Sequence, residues 1–289
     1  MSAVIMDGKA LGLKIRENVK SRSALLREKG ITPCLAVILA GEDPASLSYV
    51  NSKEKALAEA GMESRDIRLP AAVEEAALLS LIAELNNDDK IHGILVQLPL
   101  PAHLDEEKII CAIDPQKDVD CFHPVSVGNM VLGRPGFLPC TPHGILALLR
   151  EYNIPVSGSH VVVAGRSNIV GKPLANLLIR REYNATVTLC HTGTKDLMHF
   201  LLQADIIVAA AGKPALITPE MVREGAAVID VGVNRVPDSS SKKGYRLCGD
   251  VDPAVAEKAA FFTPVPGGVG PMTIAMLLQN VAESAEKRL

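Results

Sequence analysis

Hydrophobic and polar positions along the chain follow two periods, which predict alternating strands and helices. Short runs of consecutive apolar residues, such as 35–40 and 161–164, are typical of strands buried on both faces of a parallel sheet. Between these runs apolar residues recur every three or four positions, as amphipathic helices require. The alternation predicts an α/β fold with a doubly wound parallel sheet.

Glycine and proline positions divide this pattern into elements. In the first half we predict helices at 9–29, 44–60 and 73–86, and strands at 35–40, 67–69 and 93–98. In the second half we predict helices at 143–152, 171–182, 195–202, 218–223 and 271–287, and strands at 160–165, 185–190, 205–210, 227–232 and 260–263.

A stretch rich in proline and glycine, 114–142, separates the two halves and predicts a domain boundary. We therefore predict two domains. The first covers 1–140 and is completed by the C-terminal helix at 271–289, which is long enough to pack back across both domains. The second covers 141–270 and is Rossmann-like, with a parallel sheet.

Composition and charge narrow the possible partners. The chain has 289 residues, 48% of them hydrophobic, which is enough for the cores of two domains. A net charge of -3 gives no electrostatic footprint for nucleic acid. No apolar run approaches membrane-spanning length, and the N-terminus lacks the apolar core of a signal peptide. We expect a cytoplasmic protein without a nucleic-acid or membrane partner.

The cysteines and histidines give no sign of a metal site. None of the six cysteines forms a C-x-x-C pair, and the seven histidines show no metal-ligand spacing. Several cysteines lie inside apolar runs, which is typical of buried free thiols in a reducing compartment. We predict no structural metal.

The stretch from Gly165 to Pro173 carries the strongest single signal for a ligand. It lies between the predicted strand at 160–165 and the predicted helix at 171–182. A tight glycine turn at a helix N-terminus presents backbone N–H groups and a positive dipole end to an anion. The turn predicts a phosphate site, and a glycine turn that binds nothing is the alternative.

Departures from the dinucleotide fingerprint G-x-G-x-x-G indicate which dinucleotide binds. Ser167 replaces the second glycine, and the last glycine is displaced to Gly171. The next predicted strand ends in His191-Thr192, without the acid that binds the ribose of NAD. An acid there would repel the 2′-phosphate of NADP by roughly 4 kcal/mol at a separation of about 4 Å. Arg166 and the hydroxyls of Ser167 and Thr192 suit that phosphate, so we predict NADP.

Tyr49 and Lys53 form a candidate catalytic pair, because residues four apart share one face of a helix. The tyrosine ring can stack on a flat heterocycle, and a partly desolvated lysine can exchange protons near neutral pH. An exposed lysine beside a half-buried tyrosine is the alternative. The same spacing occurs in short-chain dehydrogenases, but there the pair follows the glycine turn within one domain.

Three further features are candidates for ligand contact. Gln97 lies where a predicted strand ends, at the sheet edge where ligands of α/β proteins bind. Asp120 can accept two hydrogen bonds from an amino-pyrimidinone edge, as in a pterin. The loop 263–271 is rigid and poor in side chains, so a ligand can approach its backbone closely. If no ligand binds, Gln97 is an ordinary polar residue at a strand edge, Asp120 caps a turn and the loop 263–271 is a linker.

These motifs together resemble the bifunctional methylenetetrahydrofolate dehydrogenase/methenyltetrahydrofolate cyclohydrolase family of FolD type. The resemblance covers essentially the whole chain in the family's order, and its run from Pro264 to Thr273 is especially specific. The matching segments are 49–53, 93–101, 117–120, 139–142, 165–173, 228–232 and 264–273.

The resemblance implies a fold and an activity. It implies an N-terminal folate-binding domain, a C-terminal NADP domain, a deep cleft between them and a homodimer. The implied reactions start from tetrahydrofolate derivatives. With NADP, 5,10-methylenetetrahydrofolate is oxidised to 5,10-methenyltetrahydrofolate, which is then hydrolysed to 10-formyltetrahydrofolate.

The resemblance also implies roles for residues at matching positions. Lys53 is the implied catalytic lysine, supported by Gln97, while Tyr49 stacks on the folate and Asp120 anchors the pterin. The implied substrate-binding residues are Tyr49, Gln97, Leu98, Pro99, Asp120, Pro264, Gly267 and Gly268. The implied cofactor-binding residues are Gly165, Arg166, Ser167, Thr192 and Val233.

Two positions depart from the family pattern. Cys121 stands where a glycine is expected after Val119-Asp120, which affects the loop on the pterin side. Gly193 stands where a basic residue is expected near the adenosine phosphate, which bears on the strength of the NADP preference. The residues leave two other functions open: another two-domain NADP oxidoreductase, similar to shikimate dehydrogenase, and a non-catalytic NADP or folate sensor.

Overall fold

The structure is a computed structural model that describes residues 2–241 and 244–289. The α-helices are α1 (Gly8–Glu28), α2 (Pro44–Glu59), α3 (Glu75–Asn87), α4 (Glu106–Cys111), α5 (Pro124–Val131), α6 (Cys140–Glu151), α7 (Gly171–Leu178), α8 (Leu197–Leu201) and α9 (Val269–Glu286). The strands are β1 (Val4–Ile5), β2 (Cys34–Ala40), β3 (Glu63–Leu69), β4 (Gly93–Val96), β5 (His160–Ala164), β6 (Thr186–Cys190), β7 (Ile206–Ala209), β8 (Ala227–Asp230), β9 (Asn234–Pro237), β10 (Tyr245–Cys248) and β11 (Phe261–Phe262).

The chain divides into two compact units. The large-sheet unit comprises the residues up to Gly12 together with Cys140–Thr273. The small-sheet unit comprises Leu13–Pro139 and Ile274–Leu289. The division therefore passes through two helices, α1 and α9.

The large-sheet unit is built on six strands in the order β1-β11-β8-β7-β5-β6. Every neighbouring pair in this sheet is parallel. The central strands β7 and β8 are buried along their whole length, as expected for a sheet covered on both faces. A separate antiparallel hairpin joins β9 to β10. The sheet brings the carboxyl ends of β5, β7 and β8 side by side at one edge.

The small-sheet unit contains three parallel strands in the order β3-β2-β4. All seven residues of the central strand β2 are buried. Helix α3 covers one face of the sheet with Leu78, Ile82 and Leu85, which belong to the same apolar cluster as alternate residues of β2. At about 25 cal/mol per Å² of buried apolar surface, such contacts are the main stabilising contribution to this unit.

The predicted α/β fold with parallel sheets is confirmed, and most element positions agree within a few residues. Strand β3 is longer than the predicted 67–69, because its polar residues form an edge strand that pairs with β2 along its full length. Helix α5 was not predicted. Pro124 was interpreted as a turn residue, but it occupies the first turn of this helix. His123 caps the helix, because its Nδ1 accepts a hydrogen bond from the Val125 N–H at 3.0 Å.

Three predicted helices in the second half were too long. Helix α7 ends at Leu178 rather than 182, because a turn through Asn184, with a φ of 55°, leads into β6. Helix α8 begins only after Asp196, whose carboxylate caps it by accepting from the His199 N–H at 3.0 Å. The predicted helix at 218–223 is a 3₁₀ turn at Pro219–Met221. Among the described residues, no helix combines the length and apolar character needed to cross a bilayer.

Candidate functional site

Lys53 and Gln97 form the central contact of the candidate site in the small-sheet unit. The Lys53 ammonium donates a hydrogen bond to Gln97 Oε1 at 3.0 Å. Only 8% of Lys53 is exposed, whereas 45% of Tyr49 is exposed one helical turn earlier on α2. The helix therefore presents a buried amine and an accessible aromatic ring on one face.

The position of Gln97 is fixed at both its backbone and its side chain. Its backbone N–H donates to the Ile38 carbonyl at 2.8 Å, which extends the pairing of β4 with β2. Its side-chain Nε2 donates to the Leu98 carbonyl at 2.8 Å. Because the amide nitrogen is held in this way, the amide oxygen must face Lys53. The following peptide bond, Leu98-Pro99, is cis.

The segment 117–120 combines two structural residues with the candidate ligand Asp120. The buried Lys117 ammonium donates to three backbone carbonyls near the C-terminus of α3, at 2.7–2.8 Å. The buried Asp118 carboxylate accepts from the N–H groups of Phe122 and His123 at 3.1 and 2.9 Å. Sequence reasoning did not predict these two structural roles. Asp120 is half-buried in the same loop.

The backbone conformation at Cys121 explains why glycine is the expected residue after Asp120. Its φ is 60°, in the left-handed region that glycine adopts without cost, and its side chain is 1% exposed. Burial raises the pKa of its thiol, as do the neighbouring carboxylates of Asp118 and Asp120. This chain therefore keeps the left-handed turn with a buried, protonated cysteine.

The glycine turn after β5 is closely packed on its own unit. Gly165 has a φ of 132°, and a Cβ there would lie 2.0 Å from the Ala210 carbonyl oxygen. A Cβ on Gly171 would lie 1.9 Å from the Gly165 carbonyl oxygen. Both positions exclude side chains, so the backbone of the turn packs tightly at the N-terminus of α7.

Ser167 replaces a glycine of the dinucleotide fingerprint, and its side chain stabilises the turn by hydrogen bonds to the backbone. Its hydroxyl oxygen accepts from the backbone N–H groups of Val170 and Gly171 at 3.1 and 3.4 Å. The hydroxyl proton is left to donate outward. Lys172 donates to Asn168 Oδ1 at 2.7 Å, whereas Arg166 is exposed at the turn. The turn thus offers the Ser167 hydroxyl and the Arg166 guanidinium to a phosphate, at the positive end of the α7 dipole.

The five residues that directly follow β6, 191–195, contain no carboxylate. Thr194 Oγ1 accepts from the His191 N–H at 2.9 Å, and His191 Nδ1 accepts from the Gly193 N–H at 3.0 Å. Thr192 is exposed between them. The first acid, Asp196, is engaged as the cap of α8. The arrangement lacks the group that would repel a ribose 2′-phosphate.

The glycines of the loop 264–268 are required for packing inside the large-sheet unit. A Cβ on Gly268 would lie 2.7 Å from the Pro264 carbonyl oxygen, and one on Gly8 would lie 1.8 Å from the Gly268 carbonyl oxygen. Gly267 has a φ of 112°. Its carbonyl accepts from the Lys9 N–H at 3.0 Å. The loop that we predicted as a ligand contact thus also anchors the start of α1.

The structure joins some of the predicted site residues directly and leaves others in different units. Lys53 contacts Gln97, and Tyr49, Leu98, Pro99 and Asp120 belong to the same small-sheet unit. The glycine turn, Thr192, Val233 and the loop 264–268 belong to the large-sheet unit. Across the part of the chain that the structure describes, no cluster of three His, Cys, Asp or Glu residues could hold a metal ion.

The fold and these residues define a class of protein. A six-stranded parallel sheet with a glycine turn at a helix N-terminus is a Rossmann-like dinucleotide-binding unit, and its donor set fits NADP. The second unit carries a buried lysine suited to proton transfer. The class is that of the two-unit dinucleotide-dependent oxidoreductases.

Comparison with known proteins identifies the family. Residues 6–120 match the catalytic domain of tetrahydrofolate dehydrogenase/cyclohydrolase, and residues 139–289 match the NAD(P)-binding domain of the same family. The chain belongs to the tetrahydrofolate dehydrogenase/cyclohydrolase family. A relative called bifunctional protein FolD, from Exiguobacterium sibiricum, is 56% identical over 98% of this chain and 100% of its own length.

Solved structures agree with this assignment. The bifunctional FolD enzyme of Campylobacter jejuni has a TM-score of 0.95 and 49% identity, with full coverage of both chains. FolD from Trypanosoma brucei, solved with NADP cofactor and an inhibitor, has a TM-score of 0.95 and 42% identity over 100% of this chain and 99% of its own. A shikimate dehydrogenase from Aquifex aeolicus, at 14% identity and a TM-score of 0.52, covers 89% of this chain and 97% of its own and shares only the fold.

Proposed function

We infer that this protein is a bifunctional folate enzyme. It oxidises 5,10-methylenetetrahydrofolate to 5,10-methenyltetrahydrofolate with NADP, and it hydrolyses the product to 10-formyltetrahydrofolate. The observation that carries the second activity is the hydrogen bond from the buried Lys53 ammonium to Gln97 Oε1. The glycine turn, with side chains excluded at Gly165 and Gly171, carries the first.

NADP would be held by Gly165, Arg166, Ser167, Thr192 and Val233. Arg166 and the two hydroxyls supply donors for phosphate oxygens, and the first acid after β6, Asp196, is engaged as the cap of α8. When bound, NADP supplies the acceptor for a hydride. The protein's own contribution to that reaction is to hold cofactor and folate in place and to exclude water.

The folate would be held mainly by residues of the small-sheet unit. Tyr49 is exposed enough for its ring to stack on the pterin, and Asp120 would accept hydrogen bonds from the pterin edge. Leu98 and Pro99 follow Gln97 directly, so the same strand end would supply both apolar contacts and the amide. We also propose substrate contacts at Pro264, Gly267 and Gly268.

Hydrolysis of the methenyl group requires protons to be moved at two points. Water adds to the methenyl carbon and loses one proton, which leaves a neutral hydroxyl adduct. The hydroxyl proton then leaves as the formyl C=O forms, the bond from that carbon to N5 breaks and N5 gains a proton, so that one proton is released overall. We assign these transfers to Lys53. Gln97 keeps the lysine amine in one place, since its own amide is fixed by the Leu98 carbonyl.

We propose further that residues 1–140, completed by 271–289, form the folate-binding domain, and that 141–270 form the NADP-binding domain. A homodimer in the cytoplasm is the assembly and location that the family suggests. The free thiols of all six cysteines suit a reducing compartment. Sedimentation of the purified protein tests the dimer directly.

The test of the catalytic assignment is Lys53→Met, with Lys55→Met as its matched control. Lys55 lies on the same helix, and its side chain is 79% exposed beside Glu59. Lys53→Met should lower the rate of methenyltetrahydrofolate hydrolysis by about a hundredfold or more. Lys55→Met should behave as the wild type does. Normal hydrolysis by a folded Lys53→Met protein would rule out the assigned role.

A further inference from the structure

Two buried carboxylates lie behind the carboxyl edge of the six-stranded sheet and belong to none of the predicted site sets. Asp230 is the last residue of β8 and is 2% exposed, and Asp250 follows β10 and is 0% exposed. Burying two negative charges is costly unless hydrogen bonds compensate them. The groups that donate hydrogen bonds to these carboxylates therefore show which parts of the structure the two residues stabilise.

Asp230 holds three backbone N–H groups. Its Oδ1 accepts from Gly232 and Asp250 at 3.0 and 2.9 Å, and its Oδ2 accepts from Val251 at 3.0 Å. Burial raises the pKa of Asp230 to about 6, even though these three bonds act to lower it. The three N–H donors favour the charged carboxylate, whose oxygens accept from all of them.

Asp250 extends the connection to two further segments. Its Oδ2 accepts from the backbone N–H groups of Ala211 and Gly212 at 2.7 and 2.8 Å. Its Oδ1 accepts from the Asn234 side-chain amide at 2.8 Å. One carboxylate thus joins the segment that follows β7 to the segment that follows β8.

The backbone around both carboxylates leaves no room for side chains. A Cβ on Gly232 would lie 2.2 Å from Asp250 Oδ1, and a Cβ on Gly249 would lie 1.7 Å from Asp230 Oδ2. Either contact would displace a carboxylate oxygen from its donors. The two glycines allow the short chain reversals that bring these N–H groups to the carboxylates.

The segments held in this way lie at the edge where the cofactor is expected. The strand order β8-β7-β5 makes the ends of these strands neighbours, and ligands of α/β sheets bind at such carboxyl edges. The Gly165 turn packs directly on the segment after β7, as the 2.0 Å approach of a Cβ to the Ala210 oxygen shows. Val233 lies between Gly232 and Asn234, both of which contact the carboxylates.

We propose that Asp230 and Asp250 are positioning residues for NADP, which hold the backbone of 210–212 and 232–234 in the arrangement that the cofactor contacts. The proposal rests on the NADP-dependent function inferred above. The two carboxylates accept from both of these segments, and the N–H groups of Asp250 and Val251 donate to Asp230 and so link the two aspartates. Their role is therefore to fix loop geometry at the ligand edge.

The test measures NADP binding by calorimetry in the full-length protein for Asp250→Ala, Asp250→Asn and the control Asp252→Ala. Asp252 is an acid two residues away that only caps the following 3₁₀ turn through Ala254. Asp250→Ala should raise the Kd for NADP roughly tenfold, because the released loops must be reordered on binding. Asp250→Asn should restore most of the affinity, because its amide oxygen can still accept from Ala211 and Gly212.

A second readout separates positioning from general destabilisation. Asp250→Ala should lower the ratio of dehydrogenase to cyclohydrolase rate, whereas partial unfolding would lower both rates together. If Asp250→Ala does not fold, Asn234→Ala, which breaks one link of the network, should still weaken NADP binding. Wild-type NADP affinity in a folded Asp250→Ala or Asn234→Ala protein would overturn the proposal. Absence of NADP binding by the wild type would instead overturn the proposed function.

Discussion

Replacing Gly171 by alanine is the sharpest test of the glycine turn. The change adds one methyl group at the first residue of α7, where φ lies outside the left-handed region, so backbone strain plays no part. The added Cβ would lie 1.9 Å from the Gly165 carbonyl oxygen and 3.1 Å from Arg166 Cα. Both neighbours are backbone atoms, so no flexible side chain can move aside.

The size of the effect follows from this distance. Real Cβ contacts are essentially never shorter than 3.0 Å, so the turn and the helix must separate by about 1.1 Å. Overpacking of this kind costs about 1–3 kcal/mol of unfolding free energy, offset in part by the better helix propensity of alanine. A displacement of this size between a ligand and its binding groups costs about a hundredfold in rate.

The assay measures NADP affinity, thermal unfolding and both activities. For Gly171→Ala we expect a large rise in the Kd for NADP and a loss of dehydrogenase activity, with cyclohydrolase activity kept. The control is Gly128→Ala on α5, where a Cβ would meet no atom within 4 Å. That change should leave both activities intact and stabilise the fold by up to ~1 kcal/mol. Unchanged NADP affinity in Gly171→Ala would refute the assignment of this turn to the cofactor.

Two further predictions concern buried titratable groups. Burial lowers the pKa of His92 from 6.5 to about 4, and its Nδ1 accepts from the Cys34 N–H, so the folded ring is neutral. Below pH 6.5 His92 is protonated in the unfolded chain but stays neutral in the folded chain. The free energy of unfolding therefore falls by about 3 kcal/mol as the pH is lowered to 4. Urea denaturation of His92→Gln should show a correspondingly weaker loss, and an unchanged pH dependence would contradict this. Burial also raises the pKa of Cys34 to about 11, whereas Cys111 is exposed. A thiol reagent should therefore label Cys111 first in the folded protein, as a rapid phase of labelling. If this rapid phase persists in Cys111→Ser, the prediction is wrong.

The local sequence pattern was sufficient to predict an element wherever the residues that determine it are adjacent in sequence. The buried strands β2, β5 and β7 were predicted from continuous apolar runs, since a strand covered on both faces must be apolar throughout. The phosphate turn was predicted for the same reason, because strand, glycine and helix N-terminus are adjacent in sequence. Strand β3 was predicted only in part, since its polar residues are held by pairing with β2 rather than by burial.

The sequence by itself therefore determined the α/β class, the family resemblance and the residue types of both sites. Tertiary structure alone decided how those residues act. It brings Lys53 to Gln97, 44 positions away, and turns the glutamine oxygen toward the amine. It also brings Asp250 to Gly212, 38 positions away. Such contacts depend on strand order and loop path, which arise from packing over the whole unit, and no local pattern of residues encodes them.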